Sequence, residues 1–315
     1  MTWYRVAVAA GVFFITLVGS SVALVSSENK RLAEKYALTD ASSQLPRTPQ
    51  YAAGVILAAV NTDKIQAESF IAATESGVIL ASRNPDAEVP IASLTKIMTA
   101  LMLEEFGEDL TITLTESAKL VTPKISDVSA GEELSANTAK TMLLVESDND
   151  IAMAIAETVG QKLQSDNLPA GDVFRRAMNQ HARELGLSRT HFRNPTGLDE
   201  FGHLSTATDL FRLIQYIDAN HPGFWDETAS PPKSVTSLSG RKYTIKSSSL
   251  LVSYPGIIGI KTGLTDNAEG ALVIRYRFTD FPEDIVVVLL RSPDRFRDGE
   301  LLLGAIERAF RHNSK

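Results

Sequence analysis

The chain has 315 residues, 44% of them hydrophobic and 22% charged, enough apolar content for one large core or two modest ones. A formal net charge of −7, with no basic run of useful length, argues against nucleic acid as a partner. Cysteine is absent, which excludes disulfides and thiolate chemistry, and the five histidines fall in no metal-ligand spacing, so no metal or other cofactor is expected.

At the N-terminus, Arg5 precedes an apolar stretch from Val6 to Val25, broken only by Thr16, Ser20 and Ser21. As a helix rising about 1.5 Å per residue it spans roughly 30 Å, the hydrocarbon thickness of a bilayer. A signal peptide with an apolar part at Val6–Val18 and a cleavage site at Ser21-Val22-Ala23 is the other reading. The run continues past Ala23, which favours an uncleaved anchor over residues 1–27, and both readings export the rest of the chain. Residues 28–64 read as a juxtamembrane linker, turn-rich around Thr39–Pro49, and residues 65–315 as one folded domain.

Within that domain, Glu68–Thr74 and Gly77–Ser82 are apolar segments joined at Glu75-Ser76, the pattern of a β-hairpin. A long helix is expected from Ser93, with Leu94, Ile97, Met98, Leu101 and Met102 at helical spacing and Gly107 closing it. Further helices are expected at Ala136–Val145, Asp150–Val159, Val173–Leu185 and Thr206–Ile217, the last announced by a Ser205-Thr206 cap. Strands return at Gly256–Lys261, Ala271–Arg277 and Asp284–Arg291, and an amphipathic helix runs from Gly299 to Arg311. Strands, many helices, then strands and a closing helix predict an α+β domain: an antiparallel sheet flanked by helices, with a helical subdomain.

Three strings carry chemistry: Ser93-Leu94-Thr95-Lys96, Ser147-Asp148-Asn149 and Lys261-Thr262-Gly263. They supply a hydroxyl nucleophile, two amines, a relay hydroxyl and an amide, the parts needed to acylate a serine without a histidine. Singly they are weak, since Ser-x-x-Lys recurs at Ser27/Lys30, Ser230/Lys233 and Ser239/Lys242, and Ser-x-Asn at Ser27/Asn29, Ser135/Asn137 and Ser165/Asn167. Context selects among the copies. Ser93 alone stands at the head of a long apolar helix, where first-turn N–H groups favour negative charge, and Lys96 shares its helix face. Ser147 lies in a turn between apolar helical stretches. Gly263 ends a strand, where it lets a substrate backbone lie along the edge.

These strings, with Pro90-Ile91-Ala92 before Ser93, resemble the D-alanyl-D-alanine carboxypeptidases, low-molecular-weight penicillin-binding proteins of the serine peptidase type. The likeness extends from about Ser69 to Phe310, through Asn194-Pro195-Thr196-Gly197-Leu198-Asp199, Gly202-His203, Ser205-Thr206-Ala207 and Arg295-Phe296-Arg297-Asp298. Departures are Asp148 where the family usually has Gly, Leu264 after Lys-Thr-Gly, Glu269, and the serine run Ser247–Ser249 where an Asn is usual.

The resemblance implies the penicillin-binding, β-lactamase-like transpeptidase fold, peptidoglycan stem peptides as substrate, β-lactams as inhibitors and an extracytoplasmic location at a bacterial membrane. It implies that Ser93 attacks the carbonyl between two D-alanines while neutral Lys96 takes its proton. A neighbouring Lys261 ammonium would depress the Lys96 pKa by repulsion. Ser147 and Lys261 would pass a proton to the leaving amine, and Asn149 would orient Lys96. Backbone N–H groups of Ser93 and Leu264 would form the oxyanion hole, beside Gly263, while Thr262 and Arg295 bind the terminal carboxylate. His203 reads as a packing or capping histidine. A class A β-lactamase shares the three strings, but no Glu-x-x-Leu-Asn deacylation loop occurs between Ser147 and Lys261. A non-catalytic membrane-anchored sensor is the other alternative.

Overall fold

The computed structural model describes residues 50–51, 60–125, 127–164, 167–279, 281 and 283–313. The expected anchor at 1–27 and most of the linker at 28–64 lie outside the described residues. Among the described residues no helix is long and apolar enough to cross a membrane.

Strand β1 (Gln50–Tyr51) is followed by the expected hairpin, β2 (Ser69–Thr74) and β3 (Val78–Arg83). A 3₁₀ turn at Ala92–Leu94 leads into α1 (Thr95–Gly107). The helical body continues through β4 (Thr111–Thr113), β5 (Glu133–Ser135), α2 (Ala136–Thr141), α3 (Asn149–Leu163) and α4 (Ala170–Glu184). Then come α5 (Ala207–Asn220), the short α6 (Asp226–Ala229), and a small hairpin of β6 (Ser234–Thr236) and β7 (Lys242–Thr244). Three long strands, β8 (Ile257–Thr265), β9 (Glu269–Tyr276) and β10 (Ile285–Ser292), precede the closing helix α7 (Arg295–Asn313).

The main sheet has the order β1-β3-β2-β10-β9-β8, antiparallel except where β1 joins β3. Strand β10 shows why its sequence is apolar without alternation. Its Ile285, Val287 and Leu289 pack with Leu302, Leu303 and Ile306 of α7, while Val286, Val288 and Leu290 belong to the core under the helical body. Both faces are covered, so both sets of side chains are apolar, each contributing roughly 1.5–3 kcal/mol by burial. The α+β expectation holds.

Element ends differ for local reasons. The helix expected from Ser93 begins at Thr95, because Ala92 takes a left-handed φ of 48° and the next residues form a tighter turn. The helix expected over Ala136–Val145 is α2 continued by a π turn, Met142–Glu146. The closing helix begins at Arg295 instead of Gly299. Its first turn carries buried Asp298, whose carboxylate accepts the backbone N–H groups of Gln66 and Ala67 at 2.9 and 2.8 Å and the Ser292 hydroxyl at 2.7 Å.

Helix α1 sets the site. Its apolar residues recur as expected, yet it is buried on every side from Thr95 to Leu103. Its polar residues must therefore find partners inside the protein. Thr99 donates its hydroxyl to the carbonyl of Pro195 at 2.7 Å, and Lys96 is drawn entirely into the interior.

Candidate active site

Ser93 lies in the 3₁₀ turn one helical turn before Lys96, and Lys96 Nζ stands 3.0 Å from Ser93 Oγ. The same ammonium nitrogen reaches Asn149 Oδ1 at 2.8 Å and the carbonyl of Thr196 at 2.6 Å. Three acceptors surround a side chain with no solvent exposure. Burial disfavours the charged amine and brings the Lys96 pKa down from 10.5 to about 7, against a smaller upward pull from the Asp148 carboxylate.

The Ser147 string is placed by the junction of two helices. The π turn after α2 ends at Ser147, whose left-handed φ of 67° reverses the chain. A non-glycine residue there stores strain, and such turns cluster at functional sites. Asp148 then caps α3, accepting the N–H of Ile151 at 3.2 Å, so Asn149 becomes the first residue of that helix. From this position Asn149 holds Lys96 with its oxygen and donates its amide to the carbonyl of Pro123 at 2.9 Å.

Lys261 projects from β8, the edge strand of the sheet, and its Nζ donates to Ser147 Oγ at 2.8 Å and to the carbonyl of Thr262 at 3.0 Å. It too is buried, and burial holds its pKa well below the ordinary lysine value, with repulsion from Lys96 and Arg295 adding to the effect. Like-charge repulsion thus exists, but the expectation that it leads at Lys96 needs correction. Burial is the larger cause at both lysines, and the mutual repulsion of the pair adds to it.

Thr262 donates its hydroxyl to Ser248 Oγ at 2.9 Å. Gly263 does not end the strand as expected, because β8 runs on to Thr265; it lies within this edge strand, and close packing is a reason for glycine there. A Cβ there would lie 2.9 Å from Ala92 Cβ and 3.0 Å from Ser93 N. Strand β8 is thereby pressed against the turn that carries Ser93. Leu264, the next residue, is 63% exposed.

Arg295 is half-buried at the start of α7, its guanidinium 4.4 Å from the centroid of the Phe296 ring. Its Nε is buried without a hydrogen-bond partner, and its charge is felt at Lys261. Arg297 is exposed and supplies only a backbone N–H to Asp294. A half-buried guanidinium whose Nε lacks a hydrogen-bond partner, with its charge felt at Lys261, suits an anionic group, which favours Arg295 over Arg297 as a carboxylate ligand.

The structure therefore brings Ser93, Lys96, Ser147, Asn149, Lys261, Thr262, Gly263 and Arg295 to one locality, on elements more than a hundred residues apart in sequence. Residue-type reasoning missed the carbonyl of Thr196 and the hydroxyl of Ser248. Asn194-Pro195-Thr196-Gly197 signals the first through its turn composition, since Asn194 Oδ1 accepts the N–H groups of Thr196 and Gly197. His203 is buried against Phe192 and reaches Thr95, not Ser93.

A family model described as D-alanyl-D-alanine carboxypeptidase matches residues 57–290. A D-alanyl-D-alanine endopeptidase of Pseudomonas aeruginosa is 31% identical over 222 residues, 68% of this chain and 67% of that protein. A D-alanyl-D-alanine carboxypeptidase of Mycobacterium tuberculosis is 32% identical over 207 residues, 65% of this chain and 68% of that one. Among solved structures, a D-alanyl-D-alanine carboxypeptidase from Mycobacterium tuberculosis superposes with a TM-score of 0.67 at 27% identity, covering 81% of this chain and 95% of that one.

Proposed function

The chain belongs to the D-alanyl-D-alanine carboxypeptidase family of serine peptidases, and from that premise we propose that it removes the terminal D-alanine of peptidoglycan stem peptides through a Ser93 acyl-enzyme. The observation that carries the assignment is the 3.0 Å contact between Ser93 Oγ and a lysine whose burial brings its pKa to about 7. At neutral pH such an amine is free to accept a proton in a substantial fraction of molecules.

In this reading Ser93 Oγ attacks the carbonyl of the penultimate D-alanine as its proton passes to Lys96 Nζ. The developing oxyanion is met by the N–H groups of Ser93 and Leu264, each donor typically worth about 3 kcal/mol. Collapse of the tetrahedral species breaks the peptide bond, and the leaving amine takes its proton from Ser147, resupplied by Lys261 at 2.8 Å. Asn149 keeps Lys96 aimed at Ser93. Thr262 and Arg295 hold the substrate's terminal carboxylate. Water then cleaves the ester and restores Ser93. β-Lactams acylate the same hydroxyl.

The reaction places residues 65–315 outside the cytoplasm. The apolar segment within residues 1–27 is proposed as the anchor or export signal, with residues 28–64 as the tether. The test is release of free D-alanine from a diacyl-L-Lys-D-Ala-D-Ala peptide. Wild type should release it and Ser93→Ala, folded by circular dichroism, should not. Equal turnover by both would defeat the proposal.

A further inference from the structure

The residue before Ser93 is held in an uncommon conformation. Ala92 has a φ of 48°, where a side chain with a Cβ is strained. Its carbonyl oxygen is closely packed on one side by Gly197, where an added Cβ would lie 1.9 Å from it. Thr95 donates to it twice, through its backbone N–H and through its hydroxyl at 2.9 Å. The hydroxyl has a single proton, already given to Ala92. The 2.8 Å contact between Thr95 Oγ1 and His203 Nε2 is therefore a bond donated by the imidazole. The other ring nitrogen agrees, because His203 Nδ1 accepts the backbone N–H of Arg193 at 3.4 Å. Burial lowers the His203 pKa to about 4, so near neutral pH the ring carries one proton, on Nε2.

The Ala92 carbonyl and the Ser93 N–H are opposite ends of one planar peptide group. Whatever pins the oxygen also aims the hydrogen. We propose that His203 is a positioning residue for this enzyme, holding the Thr95 hydroxyl on the Ala92 carbonyl and so orienting the Ser93 N–H as an oxyanion donor. The role rests on the assignment of Ser93 as nucleophile and adds to it a device outside the three motifs. Preorganised donors act on the transition state more than on the bound ligand, so the effect belongs in the acylation rate and not in binding.

The experiment follows acylation by a fluorescent penicillin, recording the limiting rate, the half-saturating concentration and the final stoichiometry, with melting curves alongside. His203→Leu should lower the limiting rate about tenfold or more, leaving half-saturation and full labelling unchanged. His203→Gln, whose amide nitrogen reaches the place of Nε2, should recover most of the rate. Thr95→Val should reproduce the loss, and the double variant Thr95→Val/His203→Leu should be no slower than Thr95→Val alone. A wild-type rate in Thr95→Val or His203→Leu would overturn the proposal, as would losses that multiply in the double variant or a His203→Gln as slow as His203→Leu. Should His203→Leu fail to fold, Thr95→Val and His203→Gln still decide between the outcomes. Ser93→Ala separates the two levels, since labelling that persists there removes the nucleophile assignment itself, whatever His203 does.

Discussion

If burial sets the Lys96 base, acylation should titrate near neutrality and should keep doing so when Lys261 loses its charge. A fall in pKa from 10.5 to about 7 corresponds to about 5 kcal/mol in favour of the neutral amine. At pH 7 it raises the neutral fraction from about one molecule in 3,000 to about half. The acylation rate should therefore rise roughly tenfold per unit below about pH 6, pass through half its maximum near pH 7 and level off above. Lys261→Gln removes the amine that donates to Ser147 and should lower the plateau. The inflection should stay near pH 7, because the enclosing side chains that desolvate Lys96 remain. Stopped-flow acylation with a chromogenic penicillin, from about pH 5 to pH 10, gives both quantities. An inflection in Lys261→Gln that climbs towards the ordinary lysine value would refute burial as the leading cause and restore repulsion to that place.

Other outcomes follow from packing and from charge away from Ser93. Gly197→Ala would place a Cβ 1.9 Å from the Ala92 carbonyl at a φ of +83°, and urea unfolding should show a loss of at least about 3 kcal/mol; unchanged stability would contradict the close packing. His181 and His221 are held near pKa 9 despite burial by ion pairs with the carboxylates of Glu105, Glu184 and Glu104. Their folded pKa lies above the unfolded 6.5, so their stabilising effect is complete below about pH 6.5 and is lost as pH rises through about 9. The melting-temperature deficit of His221→Gln should thus be largest near pH 6 and close by about pH 10, and a deficit that grows with pH would contradict the pairing.

The sequence revealed what depends on spacing along one element. Ser93 and Lys96 lie one turn apart on a single run, so their contact is predictable from helical geometry, and the apolar strings of β9 and β10 mark their strands. Lys261 and Ser147 are 114 residues apart, and nothing local in either string says that one amine meets that hydroxyl; family resemblance supplied the pairing. Backbone atoms were the least legible. The carbonyls of Thr196 and Pro123 hold the site through their position in turns, and a carbonyl has no residue type to read. The depth of Lys96 was also hidden, because a helix buried on every side resembles an amphipathic one with three polar residues until its surroundings are known. Asp148, a departure from the usual family glycine, proves to cap α3 and to act on the Lys96 charge.

The central claim is that Ser93 is the acylated residue and, with no Glu-x-x-Leu-Asn string between Ser147 and Lys261, that its β-lactam ester should persist. Incubation with benzylpenicillin, removal of free drug, and peptide mapping by mass spectrometry tests both halves at once. The account predicts one adduct per chain, on the peptide bearing Ser93, persisting for minutes or longer and absent from Ser93→Ala. An adduct on another residue, or one that vanishes within seconds with catalytic destruction of the drug, would contradict it.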